Sequence, residues 1–439
     1  LAFIRGQKEN FDRWADLGLS EWSYKDVLPF FRKFENFGGE SSQFHGSLGE
    51  LQVSELRNHH PYCKAWIDAG VELGIPKNPD FNSDQSYGLG AYHLTIGRRL
   101  RSSSATAFLR PALKRKNLVV LTNADVQKLL IVNGQATGVK FRHKNVIKSV
   151  NAYSEVILAA GAIGSPKILQ LSGIGPSKLL KDLNIPVIVD RPSVGGNLQD
   201  HYQMRTIVKL VERRSMNDDV RNPLKLMSMG LNWILKGRGP LTVGAGNVGG
   251  GVRTKLSVDG QPDIQFNVMP LSVDRPGQPL HKYSGFTAAA WQCHPASRGR
   301  TDIISSDASQ DTEIQPNYLS EEIDQRTLVE GVKILREIYK QPSFKNLWNS
   351  EIIPGQEYKT DAQILDAAKN MGGTVYHYAG TCRMGTDGDA VVDPQLRVRG
   401  VQSLRVIDAS IMPEITSANI NAPTLMIAEK GSDMILRAN

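Results

Sequence analysis

One short stretch of the sequence constrains the fold more than any other. Residues 156–160, VILAA, form an apolar run without polar alternation, and GAIGSP and the helix-like KILQL follow directly. Such a run is typical of a strand buried on both faces, and a buried strand that leads into a helix indicates a parallel sheet covered by helices. Gly161 allows a tight turn, Ser165 is a candidate helix cap and Pro166 suits the first helical position. The stretch predicts a doubly wound α/β domain.

A second group of strands begins after residue 200. Alternating apolar and polar residues predict half-buried strands at 206–211, 264–270, 286–294 and 301–307. Leu328, Val332, Leu335 and Tyr339 recur at helical spacing, which predicts an amphipathic helix over 321–341 packed on these strands. We therefore expect a second domain built on an antiparallel sheet flanked by helices.

The remaining patterns set the expected domain order. Two apolar runs, 118–122 and 126–132, precede Asn133-Gly134, a pair that predicts a hairpin turn in an antiparallel meander. LRVID at 404–408 is a further buried-strand candidate, and a closing helix follows. We predict that residues 1–202 belong to the α/β domain and include a cover segment over 1–95. Residues 203–376 form the second domain, and residues 377–439 return to the first.

A glycine pattern invites a nucleotide-binding interpretation. Gly244, Gly246 and Gly249 have the G-x-G-x-x-G spacing with which a backbone wraps a pyrophosphate. A working loop needs a buried strand before it and a helix after it, because the helix N-terminus supplies free N–H groups and the positive end of the dipole. Residues 236–243 and 250–254 predict neither element. We interpret the pattern as a flexible or closely packed loop, and NAD binding has no other support.

Composition and charge argue against several classes of protein. The 52 Lys and Arg against 44 Asp and Glu give a net charge of +8, but without any long like-charge run, so nucleic-acid binding is not supported. Apolar runs fall far short of the roughly 20 residues of a membrane span. Cys63, Cys293 and Cys382 lie far apart, which favours a reducing, cytoplasmic compartment and offers no zinc spacing. Cys293 and His294 are neighbours that point to opposite faces of a strand, and no metal site is predicted.

Blocks along the whole sequence resemble one known family. GAIGSPKILQLSGIGP alone is an ordinary capped helix, and on residue chemistry it assigns no ligand. Further blocks occur in the family's order, namely IRGQKENFDRWADLG, WSYKDVLPFFRKFE, VGGNLQDH, HPASRGR, YHYAGTCRMG, VVDPQLRVRGVQSLRVIDASIMP and NINAPTLMIAEKGSD. Linked motifs in the right order are more specific than any single motif. The chain is identified as a member of the glucose-methanol-choline (GMC) family of FAD-dependent oxidoreductases, nearest to the choline and aliphatic-alcohol dehydrogenases.

The resemblance implies a fold and a cofactor. An FAD/NAD(P)-binding doubly wound domain would hold FAD, and residues 203–376 would form the substrate-binding domain. Family members begin with a strand, a GxGxxG turn and a helix around the FAD pyrophosphate, which this sequence lacks. We expect that the nucleotide loop of the intact protein lies upstream of Leu1 and that the FAD-binding domain is incomplete at its N-terminus.

The resemblance also implies catalytic residues. In the family, a base takes the hydroxyl proton of an alcohol while the carbinol carbon passes hydride to the flavin. His377 matches the catalytic histidine, and imidazole suits this role because its ordinary pKa of about 6.5 leaves it able to accept a proton near neutral pH. Asn419 matches the position of a second His or Asn, whose amide can donate to the developing alkoxide. Tyr378 departs from the family, which usually has Pro after the histidine.

Seven residues match cofactor contacts of the family. Asp408 would accept from ribityl or ribose hydroxyls, and the helix after Asn421 would point its positive end at the flavin. The full set implied is Val126, Ala160, Gly161, Tyr376, Asp408, Ala409 and Asn421. Asp200 and His201 also lie in a family block, where we predict packing and no chemical role.

Two alternatives to an FAD-dependent alcohol dehydrogenase or oxidase stay open at this point. The absent GxGxxG segment favours a truncated, non-catalytic fragment, and a lyase on the same scaffold would use FAD structurally. The expected partners are a small alcohol and an electron acceptor, either oxygen or a quinone. Peripheral association of the cytoplasmic protein with a membrane is also left open.

Overall fold

The computed structural model describes residues 1–40, 42–242, 244, 246–275 and 277–438. The described helices are α1 Lys8–Asp16, α2 Tyr24–Phe34, α3 Pro61–Glu72, α4 Arg110–Ala112, α5 Gly161–Leu171, α6 Ser177–Asp182, α7 Met216–Arg221, α8 Pro223–Lys236, α9 Glu322–Lys340, α10 Pro342–Lys345, α11 Asp361–Met371 and α12 Asn421–Ala438. The strands of the first half are β1 Ala2–Phe3, β2 Glu35–Phe37, β3 Leu51–Val53, β4 Gly88–Ala91, β5 His93–Leu94, β6 Ala124–Val132, β7 Gln135–His143, β8 Val146–Asn151, β9 Val156–Leu158, β10 Ile174–Gly175 and β11 Val189–Asp190. Those of the second half are β12 Tyr202–Leu210, β13 Val248–Val252, β14 Ile264–Met269, β15 Gly285–Gln292, β16 Arg300–Ile303, β17 Thr312–Gln315, β18 Trp348–Ile353, β19 Gly373–Thr374 and β20 Leu404–Val406.

The two strands predicted around residues 156–160 and 404–408 pair in parallel. Strand β9 pairs with β20, with Val156 opposite Leu404 and Leu158 opposite Val406. The parallel pairing and the helix that follows β9 agree with the predicted mixed α/β fold. The expectation of burial on both faces is wrong, because Ile157 between the two buried residues is 44% exposed.

The start of helix α5 differs from its prediction. The helix begins at Gly161, so Ser165 and Pro166 lie inside it and do not cap it. Proline has no N–H to donate to the carbonyl one turn earlier, which is that of Ala162. The Thr381 hydroxyl donates to the Ala162 oxygen at 2.6 Å instead. Tertiary contacts therefore replace the local capping that the sequence suggested.

The second sheet is antiparallel, as predicted. Its strands run in the order β13-β14-β15-β12-β18, and β19 also pairs with β12. Helix α9 packs on β15, and the four residues predicted to form its apolar stripe are completely buried. The domain boundaries themselves stay a prediction. Residues 61–91, within the expected cover segment, add to this second core, since Trp66 contacts Phe266 edge-on at 6.0 Å between ring centroids.

Two local predictions need correction. Val248–Val252 is an edge strand of the second sheet and not a loop, and a Cβ at Gly249 would lie 2.0 Å from the Phe266 carbonyl oxygen. Close backbone packing thus explains these glycines, while Val243 and Ala245 lie outside the described residues. The hairpin β6–β7 turns at Asn133-Gly134 as predicted, but residues 118–122 form no strand, because none of the described strands pairs with them and their side chains stay exposed.

A buried network of charges holds the cover segment. Arg5 and Glu35, both almost completely buried, form an ion pair of 2.7 Å. His45 lies between two carboxylates, with Nδ1 3.1 Å from Glu35 and Nε2 3.0 Å from Asp80. Burial alone would lower the pKa of His45, but the hydrogen bonds to Asp80 and Glu35 outweigh it and raise this pKa. An imidazolium that donates from both nitrogens satisfies both acceptors.

We expect the charge on His45 to make stability depend on pH. Because its folded pKa is raised, its contribution is fully present below the unfolded value of about 6.5 and is lost as the pH rises through the folded value. His45→Gln should therefore lower the midpoint of thermal unfolding more at pH 6 than at pH 9. His59→Gln, a change of an exposed histidine, is the control and should show no such difference. An equal loss at both pH values would contradict the imidazolium assignment.

Candidate active site

The carboxyl ends of the two parallel strands meet at Asp408. Its Oδ2 accepts from the backbone N–H of Gly161 at 2.9 Å and from the Ser165 hydroxyl at 2.5 Å, and its Oδ1 accepts from the backbone N–H of Ser410 at 2.8 Å. The Ser165 oxygen in turn accepts from the backbone N–H of Ala160 at 3.1 Å. Asp408 therefore fixes the end of β20 against the first turn of α5, and Oδ1 retains capacity for one further donor.

His377 and Asn419, predicted from separate blocks, lie side by side. The Asn419 Nδ2 is 3.0 Å from the Nε2 of His377. His377 is 8% exposed, and Asn419 is partly exposed just before α12. An imidazole nitrogen and a carboxamide at this separation can both reach one small polar group, such as a hydroxyl.

Two residues that the sequence assigned to packing hold His377 in place. The His201 Nδ1 lies 2.9 Å from the Nδ1 of His377, and the His201 Nε2 lies 3.1 Å from the carbonyl oxygen of Cys293. Asp200 accepts from the backbone N–H of His377 at 2.8 Å. The hydroxyls of Tyr318 and Thr374 both donate to the same carboxylate at 2.5 Å.

Sequence reasoning placed Asp200 and His201 in the VGGNLQDH block but gave them no role. Both are buried, and both contact a histidine that lies more than 170 residues further along the chain. No local sequence pattern predicts such a contact. The only available signal was that three of the blocks, those of His201, His294 and His377, contained a histidine.

Burial sets the protonation of the two histidines. It lowers the pKa of His377 to about 3, and it lowers the pKa of the completely buried His201 well below its usual range. Both rings are therefore neutral near pH 7. Burial also raises the pKa of Asp200, although its hydrogen bonds from Thr374 and Tyr318 oppose that shift.

The other predicted residues divide between two places. Ala160, Gly161 and Ala409 lie with Asp408 at the strand ends, and the Ala409 carbonyl accepts from the backbone N–H of Gly380 at 3.2 Å. Tyr376 and Asn421 lie near His377 and Asn419 along the chain. Tyr376 is 68% exposed and has a positive φ of 63°. Residues other than glycine rarely adopt such a backbone conformation, and then where their surroundings impose it.

Val126 and Asn421 each lie at the end of an element. Val126 is a half-buried residue near the start of β6, opposite Phe141, and Asn421 is the exposed first residue of α12. No hydrogen bond among the described residues links Val126 to the residues at the strand ends. The cofactor contacts of both residues stay predictions.

Family comparison identifies the class of protein. The GMC oxidoreductase models match residues 1–203 and residues 295–428, which together cover most of the chain. The chain belongs to the GMC oxidoreductase family. This confirms the predicted class, an FAD-dependent oxidoreductase that acts on CH–OH donors.

Individual relatives agree with that class. An alcohol dehydrogenase (acceptor) of Pseudomonas putida is 37% identical over 441 residues, which span 100% of this chain and 80% of that protein. An oxygen-dependent choline dehydrogenase of Pectobacterium carotovorum is 39% identical over 447 residues, 100% of this chain and 78% of that protein. The crystal structure of pyridoxine 4-oxidase from Mesorbium loti superposes with a TM-score of 0.88 at 28% identity, covering 99% of this chain and 82% of that one.

The residues at the strand ends fit an FAD molecule. Ala160 directly precedes helix α5 and Gly161 is its first residue; both are accessible to solvent, and a Cβ built on Gly161 would have no atom within 4 Å. Open space at Gly161 lets part of a dinucleotide approach the backbone closely, and the free lone pair of the Asp408 Oδ1 can accept from one of its hydroxyls. The Ser410 hydroxyl, buried beside Asp408, has no hydrogen-bond partner among the described residues.

We expect Asp408→Ala to lower FAD retention, because it leaves three donors, at Gly161, Ser165 and Ser410, without their acceptor. Each orphaned buried donor costs about 1–3 kcal/mol, so the first turn of α5 should shift. The measurement is the ratio of flavin to protein absorbance after gel filtration.

A matched control is available in the second domain. Asp324 also accepts from two backbone N–H groups and one serine hydroxyl, those of Ala296 and Ser297. Asp324→Ala should lower stability without selective loss of FAD. Equal flavin content in the two variants would contradict the role of Asp408.

Proposed function

We propose that this protein oxidises an alcohol with His377 as the general base and Asn419 as the hydrogen-bond donor to the substrate oxygen. The observation that supports the proposal most directly is the 3.0 Å separation between the Asn419 Nδ2 and the His377 Nε2, in a place where burial keeps the imidazole neutral. A neutral imidazole accepts a proton, and a carboxamide N–H stabilises the negative charge that develops on oxygen.

The hydrogen bonds of His201 support one assignment of the proposed basic nitrogen. The carbonyl oxygen of Cys293 can only accept, so the His201 Nε2 must carry a proton. Because His201 is neutral, its Nδ1 then has a lone pair, and the His377 Nδ1 must donate to it. His377 is neutral as well, which leaves the lone pair on its Nε2, the atom beside Asn419. His201 is thus proposed as a positioning residue that selects the productive tautomer.

In this proposal, the remaining residues position the base and hold the cofactor. Asp200 fixes the backbone of His377 through its N–H, and Asp408, Gly161 and Ala160 would hold the cofactor at the strand ends. When bound, FAD supplies the acceptor for the hydride that leaves the carbinol carbon. The proton of the hydroxyl passes to the His377 Nε2, and Asn419 keeps the substrate oxygen oriented during the transfer.

The substrate and the electron acceptor are proposed at the level of class. Relatives named as alcohol and choline dehydrogenases support a small aliphatic alcohol or a choline-type alcohol. Oxygen or a quinone would reoxidise the flavin, and we propose a cytoplasmic location. Among the described residues, none of the helices is both long and apolar enough to cross a bilayer.

His377→Ala should slow flavin reduction by something like 10²- to 10⁴-fold, because the general base is lost, while FAD content changes little. Anaerobic stopped-flow absorbance with choline and a series of primary alcohols measures this rate. His294→Ala is a matched control, since His294 is also a neutral, half-buried histidine beside an amide, with its Nε2 2.7 Å from the Asn10 Nδ2. The control should retain the rate.

The same experiment separates the alternatives. Loss of bound FAD in His377→Ala would indicate a structural role for His377 and not a catalytic one. A flavin that no alcohol bleaches in the unchanged protein would favour the lyase. A protein that binds no flavin at all would favour the non-catalytic fragment.

His201→Leu should lower the rate of flavin reduction roughly 5- to 150-fold, because removing one partner of a buried hydrogen bond costs about 1–3 kcal/mol. His201→Gln can accept from the His377 Nδ1 and donate to the Cys293 carbonyl, so it should recover most of that loss. KM should change less than kcat, since His201 touches the base and not the substrate. Equal rates in the two variants, with intact FAD content, would show that His201 only fills space.

A further inference from the structure

Helix α8 presents an apolar stripe that nothing in the described structure covers. Leu224 and Leu235 are 73% and 72% exposed, and only Met229 in the whole helix is buried. Residues that lie three or four positions apart share one face of a helix. The stripe, which we name the α8 surface, consists of Leu224, Met227, Leu231, Ile234 and Leu235, each at least half exposed.

The helix is held on the protein by its opposite side. The Trp233 Nε1 donates to the carbonyl oxygen of Arg99 at 3.1 Å, and the Arg99 Nη1 donates to the carbonyl oxygen of Ile234 at 2.8 Å. Gly237 ends the helix in the left-handed conformation with a φ of 61°. The α8 surface is therefore presented outward by a helix whose C-terminal end is fixed on the protein.

Further apolar and basic groups adjoin the α8 surface. Leu100 and Leu241 line a cavity of about 350 Å³ together with Trp233, and both leucines are exposed. Residues 220–238 contain four basic side chains and no acidic one, the four being Arg221, Lys225, Lys236 and Arg238. Residues 98–101 add Arg98, Arg99 and Arg101. Of the basic residues on α8, Lys225 is paired with Asp219 at 2.6 Å.

We propose that the α8 surface docks on a lipid bilayer that carries anionic head groups. A helix with an exposed apolar stripe and basic flanks lies in the plane of a membrane interface, where the stripe is buried among the acyl chains and the basic groups meet the head groups. The charge argues against a second copy of this chain, because a two-fold contact would bring the same basic residues of both copies together. Five exposed apolar side chains on one face of a helix mark a candidate interaction site.

The test uses vesicle sedimentation with the full, flavin-loaded chain. The protein should bind vesicles of equimolar phosphatidylcholine and phosphatidylglycerol at least roughly tenfold more tightly than vesicles of phosphatidylcholine alone, and added salt should weaken the binding. The triple variant Leu224→Ser, Leu231→Ser, Leu235→Ser should lose affinity by roughly tenfold or more.

Two further variants keep the result interpretable. The triple variant Leu48→Ser, Val146→Ser, Val258→Ser removes exposed apolar side chains elsewhere on the surface and should bind like the unchanged protein. The pair Lys236→Gln, Arg238→Gln leaves the stripe intact and should reduce the preference for anionic vesicles, by roughly fivefold for each charge removed. Equal flavin content in all variants shows that they fold.

Three results would overturn the proposal. The first is absence of binding to either vesicle, and the second is equal loss of binding in the two triple variants. The third is a dimer, seen by light scattering, that the α8 triple variant converts to a monomer while vesicle binding stays absent. In that case a second copy covers the α8 surface.

Discussion

The structure depends on one carboxylate that joins distant parts of the chain. Asp408, at the end of β20, accepts from Gly161 and Ser165 at the start of α5, almost 250 residues earlier. The parallel strands β9 and β20 would be adjacent without it, but their carboxyl ends and the helix N-terminus would have no fixed relation. Because Asp408 is also the proposed acceptor for FAD hydroxyls, the carboxylate that fixes the helix end would also take part in holding the cofactor.

Burial sets the protonation state of His377 and His201 in the second half of the site. A histidine exposed to water would be partly protonated near neutral pH and would exchange between two tautomers. In the proposed arrangement, His377 and His201 avoid both states. Desolvation disfavours their charged forms, and the hydrogen bond to the Cys293 carbonyl fixes the proton first on His201 and through it on His377. The strand β15 leads directly into Cys293, so a backbone group of the antiparallel sheet orients His201 and, through it, the proposed base His377.

The sequence was informative where a pattern is local or where blocks match a family. It predicted the strand β20, the helix α9, the hairpin at Asn133-Gly134 and the meeting of His377 with Asn419. It failed where tertiary contacts replaced local rules. Ser165 does not cap α5 but donates to Asp408. Residues 118–122 have the composition of a strand but no partner among the described strands. Asp200 and His201 contact His377 only in the folded chain. Contacts that join residues far apart in the chain leave no periodic trace.

A proline in the first half of the chain connects the two parts of the site. Pro166 leaves the carbonyl of Ala162 without its helical donor, and the hydroxyl of Thr381, four residues after His377, takes that place at 2.6 Å. The helix whose first turn is proposed to hold the cofactor is thereby tethered to the segment that carries the proposed base, His377. A displacement of that helix would move Thr381 and, with it, the segment of His377. Binding of the cofactor at the helix would then affect the alignment of His377.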